Sequence, residues 1–176
     1  MNGRTLRIQR LLSRAEKLVV AAMDHGAFHG PIQGLEQPHS ACAHLKSADA
    51  VLMAPGMLEH TTDIFAFAGG PTLITRLLWN SAYCFQWHNT ASVHRPLVTT
   101  AQAIAQGADW VLASLAIRTG NEATDAANAG MFSQCVQDAH SLGIPIVGEY
   151  YPAQAENMSL TDLHNEIRVG ARVCAA

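Results

Sequence analysis

Leu18–Glu36 reads LVVAAMDHGAFHGPIQGLE, and its two halves are built differently. From Leu18 to Met23 the residues form an unbroken apolar run, the pattern of a parallel strand covered on both faces. Asp24-His25-Gly26 ends that run abruptly, and a loop punctuated by Gly30, Pro31 and Gly34 follows. Polar groups at the C-terminal end of a parallel strand stand where α/β proteins bind their ligands. A carboxylate and an imidazole at that edge can act as acid, base or metal ligand.

Outward from this stretch the same strand-then-helix unit recurs. Lys17–Met23 is strand one, Ser40–Ser47 a short helix and Ala50–Ala54 strand two. A helix over Met57–Ala68 follows Pro55-Gly56, and Pro71–Leu77 is strand three. An irregular stretch runs from Trp79 to Arg95. Thr100 is then placed to cap a helix over Ala101–Gln106 that stops at Gly107. Asp109–Ala116 is strand four, Asn121–Leu142 a long amphipathic helix closed by Gly143, and Pro145–Tyr150 strand five. The last helix starts near Ser159, which forms a capping box with Asp162. Five alternating units imply one α/β domain over residues 1–176, with a parallel sheet and right-handed crossovers. The sheet is either open and doubly wound or part of a (βα)8 barrel, which takes about 250 residues.

The bulk composition narrows the function classes. With 49% hydrophobic and 14% charged residues, the 176-residue chain is too apolar for disorder. A net charge of −3 gives no basic footprint for nucleic acid or anionic lipid. No run approaches the ~20 apolar residues of a membrane span. The basic N-terminus lacks an apolar core and cleavage site, so the cytoplasm is the expected location. Cys42, Cys84, Cys135 and Cys174 are widely spaced and read as small buried hydrophobes, not as a thiolate zinc or redox site. No serine stands in a G-x-S-x-G elbow, and no strand leads into a phosphate-binding glycine loop.

Asp24, His25, Arg76, Arg118, Glu149 and Tyr151 all fall at or just past the C-terminal ends of strands. On a barrel they would converge on one mouth. There Asp24 can hold or receive the proton of a substrate hydroxyl, and Tyr151 can protonate a carbanion or help to dehydrate a carbinolamine. Arg76 can meet a phosphate or carboxylate oxygen. The structural alternatives are that Asp24 caps a loop, Arg76 pairs with an acid and Tyr151 fills the top of the core. The cluster of Asp24, His25, His29 and Glu36, with His88 and His94 further on, makes a metal-dependent lyase conceivable. Its spacing matches no metal motif, and no metal is expected.

Asp24-His25-Gly26 with Gly30-Pro31 and Gly34-Leu35-Glu36 resembles the first-strand signature of the DeoC/FbaB class I aldolases. That group includes archaeal-type fructose-bisphosphate aldolase and the thiolase-like enzyme acting on phosphorylated autoinducer-2. The similarity continues through Arg76 at the end of strand three and Gly107-Ala108-Asp109 before strand four. It extends to Leu142-Gly143-Ile144-Pro145 and Tyr151-Pro152. The resemblance implies a (βα)8 barrel, usually in a homo-oligomer, that makes or breaks carbon–carbon bonds in phosphorylated sugars. The chemistry runs through a lysine Schiff base and needs no cofactor. It assigns catalysis to Asp24 and Tyr151, while His25, Arg76 and Glu149 are expected at the substrate from their places at the strand ends. Glu149 stands where archaeal-type members carry tryptophan.

The family's Schiff-base lysine lies on strand six and its phosphate loops follow strands seven and eight. The lysines here are Lys17, before strand one, and Lys46, on a helix. The expectation is an incomplete barrel of about five βα units, the N-terminal portion of an aldolase, inactive alone. The alternative is a non-catalytic half-barrel that pairs its open edges with another copy or subunit.

Overall fold

The computed structural model describes residues 3–30, 32–84, 91–153 and 155–175. In chain order its strands are β1 (Val20–Ala22), β2 (Ala50–Met53), β3 (Thr72–Arg76), β4 (Leu78–Asn80), β5 (His94–Pro96), β6 (Trp110–Leu115) and β7 (Ile146–Tyr150). β1, β2, β3, β6 and β7 pair in that order, all parallel, in one sheet that curls into an incomplete barrel. β4 and β5 form a separate antiparallel ribbon. It occupies the stretch expected to be irregular; His88, in that stretch, lies outside the described residues.

Alternation along the strands sorts side chains between two faces. Val51, Met53 and Leu73 point outward into one buried cluster, and Val111, Ala113 and Leu115 into another. Ala50, Leu52, Ile74 and Leu112 point inward and meet Leu11. Leu11 belongs to α1 (Gly3–Leu12). That helix lies across the N-terminal end of the sheet, where Arg7 Nη1 donates to the Gly143 carbonyl (2.9 Å). Arg14 Nη2, just beyond it, donates to the Gly70 carbonyl (2.9 Å). The inner face is therefore apolar below and open for polar groups above.

After β1 come two short helices, α2 (Gly26–His29) and α3 (Pro38–Cys42). α3 begins earlier than expected because Pro38 suits a first helical turn, and it tightens to a 3₁₀ turn over Ala43–Leu45. The helix expected over residues 57–68 is absent. Two 3₁₀ segments, Pro55–His60 and Thr62–Ile64, stand there instead. The Thr61 hydroxyl donates to the Met57 carbonyl (2.9 Å), and Thr61-Thr62 is a poor β-branched helix interior.

α4 (Thr100–Ala105) is capped by Thr99, one residue before the expected position. Thr99 Oγ1 accepts from Gln102 N, and Gln102 Oε1 accepts from Thr99 N, a reciprocal capping box. α5 (Glu122–Ser141) covers β6 through Phe132 and Ala139. α6 (Leu160–Ala175) begins as expected, with Asp162 N donating to Ser159 Oγ (3.2 Å). It lies so close to β7 that Gly170 faces the Tyr150 ring directly. Cys42 and Cys84 are buried, and Cys135 and Cys174 pack half-buried against the core, all as free thiols. Burial first, then nearby Asp138, pushes the Cys135 thiol up to about 11. Among the described residues no helix is long and apolar enough to cross a membrane.

Candidate active site

The parity that sends Ala50, Leu52, Ile74 and Leu112 inward continues toward the C-terminal rim. Asp24, two residues past Ala22 in β1, Arg76 at the end of β3, Ser114 in β6 and Glu149 in β7 all emerge on the inner face. Arg76 is the hub. Its Nε donates to Asp24 Oδ2, while Nη1 donates to Ser114 Oγ (3.2 Å) and Glu149 Oε2 (2.9 Å). Asp24 is 4% exposed and Arg76 3%, so their ion pair is desolvated. Taking such a pair out of water is costly, and the further hydrogen bonds of Arg76 to Ser114 and Glu149 offset part of that cost.

Three aromatic rings enclose this cluster. The Arg76 guanidinium carbon lies 5.0 Å from the Phe28 ring centre and 5.3 Å from that of Tyr83. Tyr83 meets Phe28 edge-on at 4.9 Å and Tyr151 edge-on at 4.7 Å. The Tyr83 hydroxyl donates to the oxygen that Arg76 already holds, Glu149 Oε2, at 2.6 Å. Burial, reinforced by the Glu149 carboxylate, drives the Tyr83 hydroxyl far above the usual tyrosine range, so it remains a donor. Burial alone would lower the Arg76 pKa, but Asp24 and then Glu149 hold it above its ordinary value.

The expected rim residues thus divide. Asp24, Arg76 and Glu149 come together, and Tyr151 joins them through the Tyr83 ring. His25 stands next to Asp24 at the start of α2, with a buried Nδ1 that finds no partner among the described residues. Arg118 is not part of the cluster. It adopts a left-handed backbone (φ 62°), and its Nη1 donates to Glu166 on α6, which also accepts from the Tyr150 hydroxyl. Three of the five N–H donors of Arg76 are directed at two acids and a hydroxyl. Glu36 Oε2 accepts from Gly34 N within its own loop (2.7 Å). Among the described residues no three His, Cys, Asp or Glu side chains are grouped to hold a metal ion.

Behind the rim, the β4–β5 ribbon is anchored to α5. Asn128 Nδ2 donates to the Ser92 and Ala116 carbonyls (2.7 and 2.8 Å), and Asn128 Oδ1 accepts from His94 N (3.0 Å). His94 is fully buried, and that burial lowers its pKa below the ordinary 6.5. Its folded-state pKa lies below its unfolded value, so the unfolded chain binds the proton more readily. The stability that neutral His94 contributes is present above pH 6.5 and lost as pH falls toward the folded value. The urea midpoint is therefore expected to drop between pH 7 and pH 5 by more in the native chain than in His94→Gln. Equal drops in the two proteins count against this role.

Lys17 precedes β1, at the opposite end of the sheet from Asp24, and Lys46 follows the Ala43–Leu45 turn, 4.0 Å from Asp63. Neither amine stands at the rim.

Comparison with known proteins gives a consistent picture. The DeoC/LacD family aldolase profile matches residues 18–166. An uncharacterized aldolase of Saccharolobus solfataricus is 32% identical over 155 residues, covering 85% of this chain and 56% of that protein. A solved Schiff-base-forming fructose-1,6-bisphosphate aldolase superposes with a TM-score of 0.73 at 19% identity, over 96% of this chain and 67% of its own. An archaeal fructose 1,6-bisphosphate aldolase gives 0.72 at 21% identity, over 96% and 66%. At those identities the two structures speak for the fold. The chain spans about half the length of the curated relative it matches.

Proposed function

This chain belongs to the DeoC/LacD aldolase family, and we propose that its 176 residues are the N-terminal portion of a class I aldolase acting on phosphorylated ketoses. The observation that carries this reading is the inward cluster of Asp24, Arg76 and Glu149 at the strand ends, with Tyr151 beside it. In such a reaction a lysine amine condenses with the ketone carbonyl, water leaves, and the resulting iminium accepts the electrons of the breaking carbon–carbon bond. The hydroxyl on the departing carbon gives up its proton as the aldehyde forms. The enamine left behind is protonated at carbon before hydrolysis releases the second product.

Asp24 suits the hydroxyl proton. Its carboxylate is paired with Arg76 and fixed in place, and its Oδ1 has no hydrogen bond among the described residues. Tyr151 suits proton transfer to the leaving hydroxyl of the carbinolamine or to the enamine carbon. Electrostatics favour the iminium: two carboxylates and one guanidinium leave the rim net negative beside a developing cation. The amine and the phosphate ligands come from sequence other than the residues at this rim, where no lysine stands. Val20, in the outer strand β1, and Val19 just before it are 51% and 64% exposed. We read that edge as the seam along which the remaining strands, or a second copy, complete the sheet.

Borohydride reduction in the presence of dihydroxyacetone phosphate tests this. The 176-residue chain is expected to gain no covalent adduct, whereas the gene product carrying whatever follows Ala176 is expected to gain one. An adduct on the 176-residue chain alone, or none on the longer product, overturns the assignment.

A further inference from the structure

We infer that Glu149, held by Tyr83 and Arg76, makes this rim select a neutral, hydroxyl-bearing aldehyde and reject a phosphorylated one. The inference rests on the aldolase reading above and concerns the product half that lies over β1, β3, β6 and β7. Three observations carry it.

The first is charge. Arg76 is the cation of the cluster and faces two carboxylates, Asp24 and Glu149, so the group is net −1. The Arg118 cation is directed to Glu166 on α6 and does not offset it. A phosphate dianion brought here meets like charge in a place where burial strengthens the repulsion.

The second is donor capacity. The Arg76 side chain is 4% exposed and already donates to Asp24, Ser114 and Glu149. The Nε and Nη1 donors could turn to a phosphate only by breaking buried ion pairs, which is costly.

The third is acceptor capacity. Glu149 is 33% exposed, and its Oε2 takes both the Tyr83 hydroxyl and Arg76. That leaves Oε1 without a hydrogen bond among the described residues, on a side chain whose position is fixed by its other oxygen. A fixed carboxylate oxygen at a partly open rim is an acceptor for a sugar hydroxyl. Tyr83 acts through Glu149 and is a positioning residue. It fixes which oxygen is left free.

The test is a titration of ring-labelled tyrosine followed by NMR, with the Tyr83 and Tyr151 signals assigned from the Tyr83→Phe and Tyr151→Phe variants. D-glyceraldehyde is expected to shift the Tyr83 signal at concentrations about tenfold lower than D-glyceraldehyde 3-phosphate does. In Glu149→Gln, which keeps the side-chain shape and removes one negative charge, that ratio is expected to fall toward one. Equal affinity for both aldehydes in the native protein overturns the inference. So does preference for the phosphorylated aldehyde, or the absence of any shift with either. Borohydride trapping is read separately, so an adduct alongside a failed titration sinks the charge preference and leaves the aldolase reading standing.

Discussion

Arg76→Met is expected to lower folding stability by about 3–5 kcal/mol, the cost typical of stripping one partner from a buried ion pair. Methionine fills similar space and keeps the contact with Phe28 and Tyr83, so a cavity is not the cause. The loss comes from Asp24, 4% exposed and left with an uncompensated charge, and from Glu149, which loses one of its two donors. Denaturant unfolding at neutral pH measures the effect. Pairing Arg76→Met with Asp24→Asn provides the internal control, because the double variant no longer buries a lone carboxylate. It should recover a substantial part of the loss. A single-variant cost below about 1 kcal/mol would place the cluster in the range of exposed pairs and refute the burial argument.

Gly170→Ala is expected to cost about 1–3 kcal/mol, the range for overpacking a tight contact. A β-carbon at Gly170 would overlap the Tyr150 ring, far inside contact distance. Nor can the ring swing aside freely, since the Tyr150 hydroxyl donates to Glu166, itself buried and tied to Arg118. Displacing Tyr150 therefore disturbs three elements: β7, α6 and the segment after β6. Thermal unfolding of Gly170→Ala, alone and combined with Tyr150→Leu, separates the mechanisms. The clash account requires the second change to restore stability lost to the first. If the combination is simply the sum of two losses, helix–strand spacing is not what makes glycine necessary at position 170.

How much of this was legible in the residue order depends on how each group is held. Asp24, Arg76 and Glu149 each close or follow an apolar run, and alternation from those runs puts them on one face, so periodicity alone finds them. Ser114 obeys the same rule inside Asp109–Ala116, two residues after Leu112, although the run reads as uniformly apolar. Tyr83 has no such signature. It sits on the 3₁₀ turn Ser81–Tyr83 after a ribbon that departs from the strand-then-helix rhythm, and only tertiary packing brings it to Glu149, 66 residues away in sequence. Arg118 shows the converse. Its position at a strand end suggests the mouth, but a left-handed backbone and Glu166, 48 residues on, turn it aside. The segment after β2 failed for a local reason, the competition of the Thr61 hydroxyl for a backbone carbonyl.

The hub of the rim joins groups made at very different times. Glu149 leaves the ribosome 73 residues after Arg76, on the order of ten seconds later at about 5–20 residues per second. Until then the hub's carboxylate already synthesised is Asp24, and with Arg76 it makes an electrically balanced couple. Arrival of the fifth parallel strand tips the balance to negative. The sign that suits an iminium is thus acquired only when β7 joins the sheet, and a nascent chain that stops short of β7 does not present it.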